Sequence, residues 1–310
     1  MLDEEYEDAE GDVDEDDDNI YCTGLIAGHK VVIVCLPGHF GTNPAAAVAT
    51  QMQAKFRGIR FGLMVGIGGG VPSANADVRL GDIVVSKPHG PFGGVVQYDM
   101  GKSSHNEFRR TGFLNAPPQI LLSAVTAIHA NTLLAKGTLR SRLAEIERIP
   151  AFQRKKAGPD VLFDASYHHG GGLTCKDCNT DRQIVRPERE DGVKVEIHPG
   201  TIASGNQVMK SGTQRDQISH ELGGVLCFEM EAAGLMNTFP CIVIRGICDY
   251  ADSHKNDRWQ PYAAGTAAAY AKELLSKIPT PAVNKIHRAE ESMLGKRSEY
   301  DAFLSTYRIL

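Results

Sequence analysis

Residues 240–252 read PCIVIRGICDYAD, and this stretch decides the fold. The apolar run at 242–248 is rich in β-branched residues, which is typical of a strand buried on both faces. Asp249 follows the run directly, and packing alone does not explain it, because buried carboxyl groups are normally paired or used. Ligands of open α/β sheets bind at the carboxyl ends of strands. Asp249 is therefore expected at a functional edge, where a carboxyl held in its protonated form could act as a general acid.

Strand and helix patterns alternate outward from this stretch. The predicted strands are at 30–36, 61–67, 82–86 and 95–98, and the predicted helices are at 119–135, 214–221 and 262–277. Asn43 is expected to cap an alanine-rich helix that starts at Pro44 and runs to about Phe56. The run at 30–36, KVVIVCL, has the composition of a buried strand. The alternation predicts an α/β fold around one central sheet.

Charge is distributed unevenly along the 310 residues. The formal net charge is −5, but residues 1–20 hold twelve acidic residues and no Lys or Arg, which leaves 26 acidic and 33 basic residues elsewhere. Such a segment cannot bury apolar surface, so residues 1–19 are expected to be acidic and disordered. The rest shows no clustered basic face, which argues against a nucleic-acid partner. No apolar run approaches the roughly 20 residues that would cross a membrane.

The cysteines and the polar stretches indicate the organisation of the chain. Seven cysteines are an odd number, and several lie in apolar runs, which favours a reducing, cytoplasmic location without a disulfide framework. Residues 20–278 are expected to form one domain. Within it, the polar and irregular stretch 138–190 is interpreted as an insertion. The charged residues 279–310 are typical of a linker or tail.

Two further segments carry groups that could bind a ligand. The glycines of residues 65–70, VGIGGG, let a ligand approach the backbone, although a tight turn explains them equally well. Glu229 and Glu231 are expected at the start of a helix. A carboxylate there can accept two hydroxyl groups of a ribose, or it can simply complement the helix dipole. Arg245 could pair with a carboxylate or cap its strand.

Together and in this order, the motifs resemble the nucleoside phosphorylase/nucleosidase superfamily. The resemblance is nearest to the methylthioadenosine/S-adenosylhomocysteine nucleosidase branch, and the sequence is similar in style to the nucleosidase-like domains of fungal STAND or NLR-like signalling proteins. The motifs that carry it are LMVGIGGG at 63–70, LGDIVVS at 80–86, GTIASGNQVM at 200–209, EMEAAG at 229–234 and IVIRGICDYAD at 242–252. The resemblance implies a three-layer αβα fold with a mixed central sheet.

The resemblance also implies roles for particular residues. Asp249 would protonate or hydrogen-bond purine N7, and Glu231 would hold the ribose hydroxyls with Met230 against the sugar. Gly68 and Gly69 would line the base and ribose pocket. The other residues implied to bind substrate are Asn206, at a position where the nucleosidases usually have Asp, Val208, Met209, Phe40 and Arg245.

The implied reaction is hydrolysis of the N-glycosidic bond of an adenosine- or methylthioadenosine-like nucleoside, without a metal or an organic cofactor. Phosphorolysis would need cationic or hydroxyl donors near the glycine run, where this chain has Met64 and Ile67. Water is therefore the favoured nucleophile. A phosphate-dependent phosphorylase and a non-catalytic nucleoside-sensing module of a larger signalling protein are the alternatives. A homodimer or higher homo-oligomer is expected, because members of the superfamily often complete the sugar pocket from a neighbouring subunit.

One family feature has no counterpart in the sequence. In the family, the sheet begins with a strand, and the loop after it supplies a carboxylate that activates the attacking water. Residues 1–20 contain no apolar run that could replace that strand. The first strand is therefore expected to be missing, and the chain is expected to be truncated and weakly active or inactive.

A short cysteine motif lies within the expected insertion. Cys175 and Cys178 have the spacing of two zinc ligands, and His168 and His169 upstream would complete a set of four. A single pair of cysteines is weak evidence, and two cysteines in a surface loop explain the pattern as well. Such a zinc ion would be structural, because the motif is distant in sequence from the glycosidase motifs.

Overall fold

The computed structural model describes residues 2–6, 17–105, 108–172, 174–189 and 194–289. Twelve strands lie in these residues: β1 Glu4–Glu5, β2 Tyr21–Ile26, β3 His29–Val34, β4 Gly62–Gly70, β5 Ile83–Ser86, β6 Val95–Gln97, β7 Gly101–Ser103, β8 Phe108–Arg110, β9 Ile197–Gly200, β10 Ile202–Ser204, β11 Cys227–Glu229 and β12 Cys241–Asp249. The same residues contain seven α-helices: α1 Thr42–Lys55, α2 Gln119–Leu133, α3 Leu139–Ile146, α4 Arg154–Ala157, α5 Gly212–Glu221, α6 Gln260–Ser276 and α7 Thr280–Val283. Among the described helices, none has both the length and the apolar character needed to cross a bilayer.

The central sheet combines parallel and antiparallel pairs. Its described strands have the order β6-β10-β11-β4-β12-β5-β9. Strand β12 runs parallel to β4 along nearly its whole length and antiparallel to β5. Strand β11 is antiparallel to β4 and pairs with it only at Gly69 and Gly70. The sheet is therefore mixed, as expected, and the glycine end of β4 lies between β11 and β12.

Helices cover both faces of this sheet. All nine residues of β12 are buried. Because side chains alternate along a strand, Val243 and Ile247 join an apolar cluster with the buried alanines of α1, whereas Ile242 and Ile244 join a second cluster with the buried face of α2. Each such buried side chain stabilises the fold by about 1.5–3 kcal/mol. The predicted α/β fold with three layers around a mixed sheet is confirmed.

The run at 30–36 is not the buried strand that its composition predicts. Strand β3 pairs with β2 in a separate three-stranded sheet, and Ile33 is 40% exposed. Ala27 and Gly28 join the two strands with positive φ angles of 51° and 80°, as a two-residue hairpin turn requires. Among the described strands, β3 pairs with β2 alone, and the ring of His29 at its start bonds to the backbone carbonyl of Ile278 at 2.9 Å.

The two ends of the described chain contact the body of the domain. Glu4 and Glu5 form β1 and pair with β2, so this part of the acidic segment 1–19 is not a free loop; residues 7–16 lie outside the described residues. The segment 279–289 is not an extended linker either. It contains α7, and Ala289 is buried and donates its backbone N–H to the carbonyl of Ile59 at 2.8 Å. Residues 290–310 lie outside the described part.

The expected insertion at 138–190 is attached at its start to helix α6. Helix α3 falls within it, and Thr138 and Arg142 both donate to the carboxylate of Glu273, with the Arg142 bond at 2.8 Å. Glu273 is completely buried on α6. The helical part of the insertion is thus held against the body by a buried carboxylate, although the remainder is mostly irregular.

Candidate functional site

Strand pairing brings the glycine run next to Asp249. Gly69 of β4 lies opposite Phe228 of β11 on one side and opposite Asp249 of β12 on the other. The register between β4 and β12 shifts between Ile247 and Asp249, as at a β-bulge. Bulges commonly redirect a side chain beside a functional site. The aspartate after the strand therefore lies against the end of the glycine run.

Gly69 is required by the close approach of Asp249. A Cβ atom at Gly69 would lie 2.7 Å from Asp249 Oδ1 and 2.8 Å from the Cβ of Ala251. Neither neighbour can move away easily, because Asp249 is buried and its Oδ1 accepts the backbone N–H of Ala251 at 2.8 Å. The glycine lets the carboxylate approach the backbone of β4.

Asp249 forms an ion pair that the sequence did not reveal. The Nζ atom of Lys255 lies 2.8 Å from Asp249 Oδ2, and the two side chains are 30% and 3% exposed. Burial alone would lower the pKa of Lys255, but the neighbouring Asp249 carboxylate outweighs it, and the net effect raises that pKa. The carboxyl group that was expected to act as a general acid is thus paired with an ammonium group.

Arg245 connects the two glutamates of the EMEAAG motif. Its Nη2 atom donates to Glu229 and, at 3.1 Å, to Oε2 of Glu231. The Glu229 carboxylate also accepts the backbone N–H groups of Glu231 and Ala232 at 3.2 and 3.0 Å. Burial and the charge of Glu229 raise the pKa of Glu231, and Arg245 opposes this shift only in part. Of the two roles considered for Arg245, pairing with a carboxylate is the one observed.

Gly66 gives Arg245 its path across β4. The two residues are paired in the strand register, and a Cβ atom at Gly66 would lie 2.1 Å from Arg245 Nη1. The guanidinium therefore passes over the bare backbone of β4 to reach the glutamates beyond it. Gly66 belongs to the glycine run at 65–70, but only the strand register shows that it makes room for the Arg245 side chain.

The two glutamates do not stand at the start of a regular helix. Glu229 is the last residue of β11, and only a single 3₁₀ turn, Ala232–Gly234, follows. The explanation through a helix dipole therefore does not apply. Glu229 and Glu231 lie at a strand end, as Asp249 does, and the buried Arg245 forms an ion pair with each of them.

The other predicted binding residues differ in burial and in their distance from the group formed by Asp249, Glu229, Glu231 and Arg245. Gly68 adjoins it, because a Cβ there would lie 3.0 Å from the carbonyl oxygen of Phe228. Met209 is buried in a cluster that contains Phe228 and Ala251, and Met230 is half-buried. In contrast, Phe40 and Val208 are 72% and 49% exposed.

Asn206 is occupied by a structural contact. Its Oδ1 accepts the backbone N–H of Thr42 at 3.0 Å and the Thr42 hydroxyl at 3.1 Å. Helix α1 begins at Thr42 with Gly41 as its N-cap residue, so the prediction of Asn43 as the cap is wrong. The acceptor for the first turn comes instead from a residue far away in the sequence, which local spacing cannot indicate.

One group among the described residues could hold a metal ion. It consists of His169, Cys175 and Cys178, whose ligand atoms lie within 4.8 Å of one another. His168, which the sequence suggested as a further ligand, is exposed and does not belong to this group.

Known proteins share the sequence and the architecture described above. The chain is 49% identical over 277 residues to a nucleotide-binding leucine-rich repeat (NLR)-like protein of Hyaloscypha variabilis; the match covers 88% of this chain but 27% of that protein. It is 24% identical to the 5′-methylthioadenosine/S-adenosylhomocysteine nucleosidase of Mycobacterium bovis, over 84% of this chain and 85% of that one.

Solved nucleosidase structures share the fold. The enzyme of Neisseria meningitidis in complex with methylthio-immucillin-A has a TM-score of 0.52 at 17% identity and matches 84% of this chain and 86% of its own. That of Streptococcus pneumoniae in complex with 8-aminoadenine has a TM-score of 0.53 at 16% identity, over 89% and 91%. A family model described as the phosphorylase superfamily matches residues 3–278, and the chain therefore belongs to this superfamily.

Proposed function

We propose that the chain is a purine nucleoside N-glycosidase that hydrolyses an adenosine- or methylthioadenosine-like nucleoside to free base and sugar. The observation that carries the proposal is the Asp249 carboxylate, held at the end of β12 against Gly69 and paired with Lys255. The nucleosidase relatives give the substrate class. Membership of a superfamily does not define the chemistry, so the argument rests on what the side chains can do.

The Asp249–Lys255 pair can assist departure of the base. Breaking the N-glycosidic bond moves an electron pair onto the purine, and a proton delivered to N7 neutralises it. Asp249 would give a proton to N7 or hydrogen-bond it, and the ammonium of Lys255, 2.8 Å from Oδ2, would stabilise the carboxylate that remains once the proton has moved to the base. General acid catalysis of this kind is worth about 10²–10⁴-fold in rate.

Glu231 can stabilise the sugar. Cleavage leaves positive charge on the ribose ring, and a fixed carboxylate that also accepts the hydroxyl groups lowers the energy of that state. Arg245 and Glu229 hold Glu231 in place from the buried side, so its orientation would be set before substrate binds. Met230 would contact the sugar, and Gly68, Met209, Val208 and Phe40 would complete the pocket.

Water is the proposed nucleophile. Met64 and Ile67, the side chains near the glycine run, are apolar and pack against the core, so they offer no donor for a phosphate ion. A second candidate is a module that binds a nucleoside without cleaving it, because the 49%-identical relative is an NLR-like protein of which this chain covers 27%. A homodimeric assembly and a cytoplasmic location remain predictions.

The test is a chromatographic assay of free base released from adenosine, inosine, guanosine and methylthioadenosine, with and without phosphate. We expect release of adenine without phosphate. Release that depends strictly on phosphate would identify a phosphorylase instead. Binding of adenosine, measured by calorimetry, without any release of base would identify a sensor module.

A further inference from the structure

A compact turn brings two thiols and an imidazole together outside the proposed glycosidase site. Cys175 begins the 3₁₀ turn Cys175–Asp177, and the N–H of Cys178 bonds back to the Cys175 carbonyl at 3.2 Å, so the turn closes on itself. Both cysteines are half-buried and free of disulfide bonds. Together with a ring nitrogen of His169, their sulfurs lie within 4.8 Å of one another.

His254 faces the same place with its polar atoms unsatisfied. It is 7% exposed, and neither of its ring nitrogens has a hydrogen-bond partner among the described residues. Burial of a polar group without a partner is costly. His254 adjoins a cavity of about 220 Å³ that His169, Cys175 and residues 253–256 also line. The cavity is thus lined by one thiol of the turn and by an imidazole whose nitrogens have no hydrogen-bond partner among the described residues.

The ring of His254 lies near that of His169, although His254 is outside the group whose ligand atoms all lie within 4.8 Å of one another and would have to move toward it to share an ion. The ring centres of His169 and His254 are 5.6 Å apart. Two imidazoles bound to one zinc ion by Zn–N bonds of about 2 Å have ring centres roughly 5 Å apart. The ring of His254 is held in place by stacking on Phe163, with the ring centres 4.0 Å apart. Asp252, the nearest carboxylate, lies 3.7 Å from His254 Nδ1, beyond hydrogen-bond distance.

We propose that Cys175, Cys178, His169 and His254 form a structural zinc site that joins His169 and the Cys175–Asp177 turn to the turn after β12. Two thiolates and two imidazoles are a complete tetrahedral set for zinc, and no position stays open for a reacting water. Binding releases the two thiol protons to the solvent. The Nδ1 atom of His169 now accepts the N–H of Gly171 at 2.9 Å, and the glycines at 170–172, around which there is open space, let the loop release it.

The direct test is metal content and metal binding of the full chain, purified under reducing conditions without chelator. We expect elemental mass spectrometry to find about one zinc ion per chain. Cobalt added to the zinc-free protein should produce the intense thiolate-to-cobalt absorption of a tetrahedral site. Wild-type protein that holds no zinc after purification and takes up neither zinc nor cobalt on titration would overturn the proposal.

Matched variants assign the ligands. His169→Asn should weaken zinc binding about tenfold or more, whereas His168→Asn, at the adjacent but exposed histidine, should bind as the wild type does. The double change Cys175→Ser and Cys178→Ser should abolish the cobalt absorption, and Cys35→Ser, at an exposed cysteine elsewhere, should retain it. Equal losses in His168→Asn and His169→Asn would overturn the ligand set.

His254 is tested separately because it is buried. His254→Asn should lower zinc affinity about tenfold or more. Zinc should also raise the thermal unfolding midpoint of the wild type, since a ligand that binds only the folded state stabilises it. That rise should be smaller in His254→Asn. An unchanged affinity and an unchanged rise in the folded variant would remove His254 from the site.

Discussion

Two ion pairs beside the glycines of β4 differ in how completely the protein encloses them. The pair of Arg245 and Glu229 is sealed, with side chains that are 5% and 0% exposed, and two backbone N–H groups also bond to the glutamate. The pair of Lys255 and Asp249 is open on one side, because 30% of the lysine side chain reaches solvent. The lysine of the second pair can therefore exchange its partner for water more readily than the arginine of the first.

This difference assigns the two pairs different tasks. A sealed pair resists rearrangement, because each charge would remain buried without its partner. Arg245 is therefore a positioning residue, which sets the place of Glu231 through a contact at 3.1 Å. The half-open pair can accommodate a base at Asp249 while the lysine moves toward water. Chemistry is expected at the open pair and stability at the sealed one.

The largest expected effect is on turnover, at Asp249. Asp249→Asn keeps the shape of the side chain but removes its ability to transfer a proton, so base release should slow by about 10²–10⁴-fold. The measurement is kcat for the best nucleoside, with circular dichroism to establish folding. Asp181→Asn, at an exposed aspartate, is the control and should be fully active. A folded Asp249→Asn protein with nearly normal turnover would exclude Asp249 from the mechanism.

The next effect is on stability, at Arg245. Arg245→Met leaves Glu229 buried without its cation, and the free energy of unfolding should fall by about 3–5 kcal/mol. Urea denaturation followed by fluorescence measures this change. Gly66→Ala offers an independent check, because its methyl group would displace the guanidinium without removing the charge. If Arg245→Met costs no more than a surface substitution, the pair is not the structural element that its burial indicates.

Glu231 should separate activity from stability. Its pKa is raised above the ordinary value of 4.5, so the folded protein binds more protons here than the unfolded chain does. This group's contribution to stability therefore falls as the pH rises from the unfolded pKa through the raised folded one. Glu231→Gln should lose most riboside cleavage yet show a weaker decline of stability with pH.

The test of Glu231 compares thermal unfolding of the wild type and Glu231→Gln across that pH range, together with cleavage of ribosides and 2′-deoxyribosides. A variant that is less stable at every pH would make Glu231 a structural residue. Equal wild-type rates for ribosides and 2′-deoxyribosides, both unchanged in Glu231→Gln, would exclude it from sugar binding.

The smallest expected effect is the cost of Lys255→Met in stability. The lysine is partly exposed whereas Asp249 is buried, so the loss should lie between the roughly 1 kcal/mol of an exposed pair and the roughly 3–5 kcal/mol of a buried one. Measured in the same urea series as Arg245→Met, it should show a clearly smaller loss. Equal losses for the two variants would contradict the distinction between a sealed and an open pair.

The sequence predicted the parts of the molecule that depend on local pattern. The apolar runs that became β4 and β12 were recognisable from composition, and their shared edge followed from the rule that parallel strands end together. Three features were beyond such reasoning: the approach of Lys255 to Asp249, the hydrogen bonds that Asn206 accepts from Thr42 of helix α1, and the exposed position of β3. Each depends on which distant segment lies opposite, and that is decided by tertiary packing.

The oxygen of Asn206 that accepts the N–H of Thr42 has a consequence for ligand binding, if Asn206 contacts a purine as the family resemblance implies. The same amide oxygen would have to accept hydrogen bonds from both the first turn of α1 and an incoming purine. A base whose exocyclic amine takes that oxygen would leave the helix without its acceptor. Binding of a purine at Asn206 would then loosen the first turn of a helix that begins 164 residues earlier in the chain. Amide exchange at Thr42 would report the presence of nucleoside even in a protein that never cleaves it.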